Sequence, residues 1–297
     1  MSATEAAMLR RPAVAGTFYP ASGASLDEMT AELFQAAERL PGVGVSSTTV
    51  PLGLLAPHAG LVYSGVVAAV AWRQLASTLA DTTVVVLGTN HGAGWLDGVG
   101  AWDSGAWRIP NDDVPVDADL AEAIVGLGPP FGVDRAAHAS EHSIEVQLPL
   151  LRHVTPSARI VPLAVSAGRG QAAREAGERL GRLLLEQRAA MRNLVLAIST
   201  DMAHYPEAAA SERVTQLLAP AIVALDATTL AAREDAVAVS GVPGLVCGMC
   251  GIEPTILGLA ALRAMGATSG TLLASATSAD VGGSATRTVG YLAVRFD

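Results

Sequence analysis

Six histidines punctuate the 297-residue chain, and three of them stand where short apolar runs stop abruptly. His58 follows the run 49–56 in Pro57-His58-Ala59-Gly60. His91 follows the valine-rich run 83–87 in Gly88-Thr89-Asn90-His91-Gly92. His204 follows 193–199 in Thr200-Asp201-Met202-Ala203-His204. Imidazole is the commonest transition-metal ligand and the usual proton carrier near neutral pH. In open α/β sheets, ligands bind beyond the carboxyl ends of strands. Histidines at such ends point to one metal ion in a buried cleft, with His58 and His91 as two of its ligands. Each also has a plainer reading: His58 could cap a following helix, and His91 could sit in a simple turn. Around His58, Pro57 stiffens the approach and Gly60 lets the backbone turn closely.

Asp201 and His204 are three residues apart. A helical turn after the strand would put both side chains on one side, where the carboxylate could orient the imidazole. The alternative is an aspartate helix cap beside a bystander histidine. Glu141-His142-Ser143-Ile144-Glu145 sets acid and imidazole just ahead of a helix. His142 with a neighbouring glutamate could transfer protons, although acidic residues also suit helix N-termini on electrostatic grounds alone. Cys247-Gly248-Met249-Cys250 has the spacing of a redox dithiol, but it lies far from any first strand. Metal ligation by one cysteine fits better, since thiolate binds iron, copper and zinc well. A disulfide between the two would withdraw that ligand under oxidation. Gly282-Gly283-Ser284 lacks a Walker pattern, so phosphate binding is not expected there.

The elements that must position these groups follow from periodicity. Helices are expected at 26–40, with Ser25 as N-cap, at 66–79, at 118–125, and at 143–154, with Ser143 as cap. Further helices are expected at 171–188, with Leu180, Leu183 and Leu184 on one face, then at about 209–225, 227–236 and 251–265. Strands are expected at 49–56, 83–87, 159–165, 193–199, 270–276 and 288–296, with a hairpin or small strands within 95–111. This alternation predicts an α/β fold with a central, mostly parallel sheet and helices on both faces. Residues 1–9 read as a frayed tail and 10–297 as one domain, with the Gly- and Pro-rich stretch 126–140 as a loop within it.

Composition excludes several function classes. The chain is 51% hydrophobic and 16% charged, enough to bury a large core. Its formal net charge is −9 and it contains no lysine, so it has no basic footprint for nucleic acid or anionic lipid. No apolar run reaches the roughly 18 residues of a membrane span, and the opening residues lack the apolar stretch of a signal peptide. A cytoplasmic protein is expected. Two cysteines give no disulfide framework.

Taken in order, these motifs resemble the Memo family (mediator of ErbB2-driven cell motility), whose bacterial and archaeal members are called AmmeMemoRadiSam system protein B. The resemblance begins with Arg11-Pro12-Ala13-Val14-Ala15-Gly16-Thr17-Phe18-Tyr19-Pro20. It continues through Ala56 to Gly60, Leu87 to His91, Glu141 to Glu145 and Ser199 to His204, and ends with Cys250-Gly251 followed by Pro254. It therefore spans nearly the whole chain. It implies a fold like the class III extradiol dioxygenases of the LigB type. It implies a metal held by two histidines and a cysteine, which map onto His58, His91 and Cys250, with Asp201 and His204 beside the site. Cys250 is preferred to Cys247 because Pro254 then falls at the family's spacing. In the dioxygenases a glutamate completes a two-histidine triad on Fe(II). A thiolate in that role changes charge and redox tuning, so a metal site does not by itself imply a dioxygenase.

The resemblance thus implies one mononuclear metal, iron first and copper or zinc as alternatives. It implies metal-dependent redox or dioxygenase-like chemistry on an unknown small molecule, with His204 and Asp201 as catalytic side chains, to which the residue reading above adds His142. Two other functions compete: a non-catalytic binding or adaptor module that takes a small molecule or peptide, and a zinc hydrolase. A functional link to radical SAM and AMMECR1-type proteins is also implied. Two departures stand out. Asn90-His91-Gly92 replaces what is often a double-histidine or Ser-His pattern, and Cys247 is an additional thiol.

Overall fold

The computed structural model describes residues 8–40, 50–75, 81–190 and 193–297. Its strands, in chain order, are β1 (Leu9–Arg10), β2 (Gly53–Ala56), β3 (Thr82–Thr89), β4 (Gly98–Ala101), β5 (Ala106–Ile109), β6 (Asp112–Pro115), β7 (Phe131–Val133), β8 (Arg159–Ser166), β9 (Asn193–Ser199), β10 (Gly270–Thr277) and β11 (Gly290–Phe296). The α-helices are α1 (Gly23–Glu38), α2 (Leu61–Trp72), α3 (Ala118–Val125), α4 (Leu148–Val154), α5 (Gln171–Ala189), α6 (Ala208–Val223), α7 (Ala227–Ala238) and α8 (Ile252–Ala264).

A run such as Thr-Thr-Val-Val-Val-Leu-Gly-Thr has no polar face, so it is stable only in the middle of a covered sheet. β3 lies there, buried at every residue. The main sheet has eight strands in the order β10-β11-β2-β9-β3-β8-β4-β7. Alternate residues feed opposite faces, as the pleat requires. Leu55, Val85, Leu87, Leu196 and Ile198 join a core with α3, α5, α6, α7 and α8. Leu54, Ala56, Val84, Val86, Val195 and Ala197 join a second core with α1, α2 and α4. The fold is thus mixed α/β with helices on both faces. The expected parallel sheet is realised in its centre, where β2, β9, β3 and β8 run parallel. Towards the edges β10, β11 and β4 join antiparallel.

Several boundaries differ from the periodicity. Ser22, not Ser25, caps α1, its hydroxyl accepting from the Ser25 N–H. Helix α2 starts five residues before the expected 66, because the Leu61 N–H is taken by the Phe18 carbonyl and Gly60 serves as cap. The segment expected as a helix over 143–154 opens as a 3-10 turn, Glu145–Gln147, and becomes α-helical only at Leu148. Ser143 is not its cap, since its hydroxyl donates to the Thr89 carbonyl at 2.8 Å. The Gly- and Pro-rich stretch 126–140 supplies β7, paired with β4. Of the expected tail, residues 1–7 lie outside the described residues, and Leu9 pairs with Ala106. Position 49 of the first expected strand and 76–79 of the second expected helix also lie outside them. Among the described residues, no helix is long and apolar enough to cross a membrane.

Candidate metal centre

The site is made by strand order. β2, β9 and β3 are sheet neighbours running the same way, with Ala56 opposite Ser199 and Leu87 opposite Ile198. Their carboxyl ends are therefore level, and the residues just beyond them meet: His58, Asp201 and His91. Cys250 lies on the turn that leads into α8, with its N–H on the Asp201 carbonyl at 3.2 Å. Gly251 makes that approach possible. A Cβ there would lie 2.5 Å from the Thr200 Cβ and 2.8 Å from the Thr89 hydroxyl.

His58, His91 and Cys250 each present one ligand atom, all within 4.8 Å of one another. The Cys250 Sγ lies 3.3 Å from His58 Nε2. The His58 and His91 rings are perpendicular, with centroids 5.3 Å apart. His142 completes a cluster of imidazoles, stacked on His91 at 4.5 Å and edge-on to His58 at 5.5 Å. His91 presents its Nδ1 to Glu141 Oε1 at 3.0 Å, which leaves Nε2 as its free nitrogen. Glu141 also accepts the backbone N–H groups of His91, His142 and Ser143. Burial pushes its pKa up, but these bonds outweigh burial and hold it well below the usual carboxylate range.

The electrostatics favour lone-pair donors. Burial, then the nearby His142 and His91, hold His58 well below the ordinary histidine value. Burial is also the first cause that lowers His142 and His204, each to about 4. The Cys250 thiol is pushed upward by burial and then by the Asp201 charge. These groups are therefore neutral near pH 7 and carry no positive charge that would repel a cation.

Asp201 and His204 are placed near the centre, but not as the expected pair. Residues 200–203 form no helical turn. The spacing that would have aligned the two on a helix does not align them here. The Asp201 carboxylate turns back to accept the N–H of His58 at 2.7 Å and of Ala59 at 3.3 Å, and burial pushes it up to about 7. His204 is held through its own backbone, its N–H on the Cys247 carbonyl. Its Nε2 is buried and has no hydrogen-bond partner among the described residues. Tyr205 beside it has φ 73°, a conformation that costs a bulky residue energy. Both cysteines are free thiols. Cys247 does not join the ligand group, and burial followed by Glu234 pushes it up to about 11.

Four residues of the site have no role assigned by residue type or spacing, although Phe18 and Ser199 lie within quoted motifs. Ser199 ends an apolar strand and Gln147 begins an apolar helix, yet both pack behind His58. Glu234 on α7 accepts the N–H of Gly248 at 2.9 Å and so steadies the cysteine turn. Phe18 reaches the His142 ring, with centroids 4.7 Å apart. Phe18 belongs to the opening loop, which Glu145 clamps: its carboxylate receives Arg10, the Tyr19 hydroxyl and the N–H groups of Ala13 and Val14. The opening motif and the second glutamate of Glu141 to Glu145 are thus two halves of one contact.

Comparison with known proteins gives a consistent result. A sequence-family model described as Memo-like protein matches residues 10–295. A MEMO1 family protein of Methanopyrus kandleri is 39% identical over 293 residues, covering 97% of this chain and 99% of its own length. One from Methanothermobacter thermautotrophicus is 35% identical over 287 residues, covering 96% and 99%. One from Methanocaldococcus jannaschii is 36% identical over 297 residues, covering 95% and 97%. A solved structure of an uncharacterized protein from Escherichia coli K12 overlaps 84% of this chain and 100% of its own, at 16% identity and a TM-score of 0.49. That overlap is too loose to define a shared fold class, and the mixed α/β description stands on the sheet itself.

Proposed function

Because the chain belongs to the Memo-like protein family, we propose that it holds one transition-metal ion, iron in the first instance, through His58, His91 and Cys250, and that the ion serves redox chemistry on a small substrate. The observation that carries this reading is the convergence of three donors within 4.8 Å of one another. The donor set fits the group. Two imidazoles and one thiol suit Fe(II), copper or zinc. The buried Cys250 thiol keeps its proton near pH 7, so its ligation of a metal would release that proton. A LigB-type, dioxygenase-like fold belongs to the same reading. The thiolate in place of a carboxylate is the reason for proposing redox chemistry in general and not ring cleavage in particular.

Bound there, the ion would supply a Lewis-acidic or redox-active centre. The chain's own residues do the rest. Glu141 orients His91 through Nδ1, and Asp201 fixes the backbone at His58. His204 Nε2, buried and unpartnered, is a hydrogen-bonding group left for a substrate atom. His142, lowered to about 4, is a neutral base beside Phe18, whose ring walls the cluster.

The test is the metal content of protein purified without oxygen. One iron, copper or zinc per chain is expected, lost in His58→Ala and Cys250→Ser. No stoichiometric metal in the parent protein would overturn the reading. Zinc in preference to iron, with no oxygen consumption, would redirect it to a hydrolase.

A further inference from the structure

We infer that Trp72, Gln147 and Ser199 form a buried relay that selects the Nδ1–H tautomer of His58 and so keeps Nε2 as a lone pair facing Cys250. The inference rests on the metal reading for its purpose, but not for its geometry. It concerns three positioning residues that touch no substrate.

Proton counting carries the argument. The indole N–H of Trp72 can only donate. It lies 2.7 Å from Gln147 Oε1, which fixes the orientation of the amide. The amide nitrogen then faces the Pro57 carbonyl and the Ser199 hydroxyl oxygen, each at 2.9 Å. A carbonyl only accepts, so the Pro57 contact confirms that the NH2 group points this way. The Ser199 hydroxyl has one proton and two lone pairs. Its oxygen is 2.6 Å from the Ser143 carbonyl, a separation that requires the proton between them. One lone pair receives the Gln147 amide. The remaining direction meets His58 Nδ1 at 2.9 Å, and there the hydroxyl can only accept. His58 Nδ1 must therefore carry the ring's single hydrogen. With the hydrogen on Nδ1, Nε2 is the lone pair of the ring, 3.3 Å from the Cys250 sulfur.

The relay has no competing partner to relax it. Trp72, Gln147, Ser199 and His58 are each 1% exposed or less, so water does not reach them. The opposite tautomer would leave two oxygens, those of Ser199 and Ser143, facing each other without a hydrogen in a buried setting, at full desolvation cost. His91 is oriented by a different device, a carboxylate at Nδ1. The two ligand histidines are thus fixed by unlike partners from unlike elements, one through a hydroxyl and an amide, the other through a charge.

The experiment is 15N NMR of metal-free, histidine-labelled protein at pH 8, with His58→Ala supplying the assignment, alongside titration with Zn2+ alone. The expected result is the Nδ1–H pattern at His58 in the parent protein. In Ser199→Ala it becomes a mixture with Nε2–H, and Zn2+ affinity falls about 10- to 100-fold. Gln147→Met leaves the hydroxyl on Ser143 but strips one lone-pair partner, and gives a smaller change of the same sign. It serves if Ser199→Ala does not fold. An Nε2–H tautomer in the parent protein overturns the relay even if Zn2+ binds. An unchanged His58 pattern in Ser199→Ala also overturns it. Parent protein that shows Nδ1–H and binds no metal keeps the relay and removes the metal reading instead.

Discussion

Glu141 and Glu145 bracket one five-residue motif, and both are buried, yet they face different parts of the molecule. Glu141 meets the metal-centre side: its oxygens take His91 Nδ1 and three backbone N–H groups, and His142 Nδ1 stands 3.3 Å away. Glu145 faces the opening loop. A guanidinium, a phenol hydroxyl and two backbone N–H groups surround it, and the Arg10 guanidinium itself lies over the Trp107 ring. The first carboxylate holds His91, a proposed ligand, in a defined orientation. The second holds a loop whose Phe18 walls the cluster. The lesson is that a motif can join two tasks, so membership in it does not make a residue part of the chemistry.

The comparison can be broken most forcefully at Glu145. Glu145→Gln leaves the buried Arg10 charge without a carboxylate, and such losses cost about 3–5 kcal/mol. Urea unfolding should show a drop of that size. A loss under about 1 kcal/mol would mean that Glu145 is not the clamp described.

Acid should act on both sides of the motif at once. His138, whose carbonyl holds Arg10 Nε, and His142, beside Glu141, are each lowered to about 4, with burial the first cause. His58 and His204 are lowered as well. In the unfolded chain these rings take up protons near pH 6.5, whereas the folded protein resists until about pH 4. The unfolded state thus binds more protons in that window, and stability falls as pH drops from 6.5 to 4. A single such histidine can contribute up to about 3 kcal/mol. Asp201, raised to about 7, works in the opposite direction across this whole range and Glu234, also raised, over part of it, but the four histidines outnumber them. Thermal midpoints of the metal-free protein that stay flat from pH 7.5 to 4.5 would contradict this.

Glu141→Gln sharpens the contrast. Its amide can still accept N–H groups at one oxygen, so stability should fall by only about 1–2 kcal/mol. Metal affinity should fall ten- to hundredfold, because His91 loses the charge that orients it. Isothermal titration with Zn2+ measures this, and an effect larger on folding than on binding would reverse the roles of the two glutamates. The smallest effect belongs to Tyr19→Phe, which removes one of several donors to Glu145 and should cost about 1 kcal/mol without changing metal content.

Much of the site was legible in the chain, because histidines after apolar runs mark strand ends and β3 could lie only inside a covered sheet. The family resemblance added Cys250 and the opening motif. Helix starts were less legible, since they depend on which carbonyl or hydroxyl reaches a free N–H. Ser22 in place of Ser25, and Phe18 at the head of α2, are examples. The Asp201–His204 pair failed for a related reason: spacing predicts a shared side only if the backbone is helical, and residues 200–203 form no helical turn.

The alternation of strands and helices, the burial of the central strands and the chemical identity of the ligand candidates can all be read along the chain. Apolar runs and residue types carry that information locally. Which of those groups meet depends on the folded arrangement. Sheet order β2-β9-β3 brings His58, Asp201 and His91 to adjacent strand ends, and a glycine at 251 lets the cysteine turn close over them. Partners such as Gln147, Ser199 and Glu145 act across 52 to 135 residues of chain, where no local pattern reaches. Their roles come from burial, which leaves each polar group with few partners and makes the choice of partner decisive.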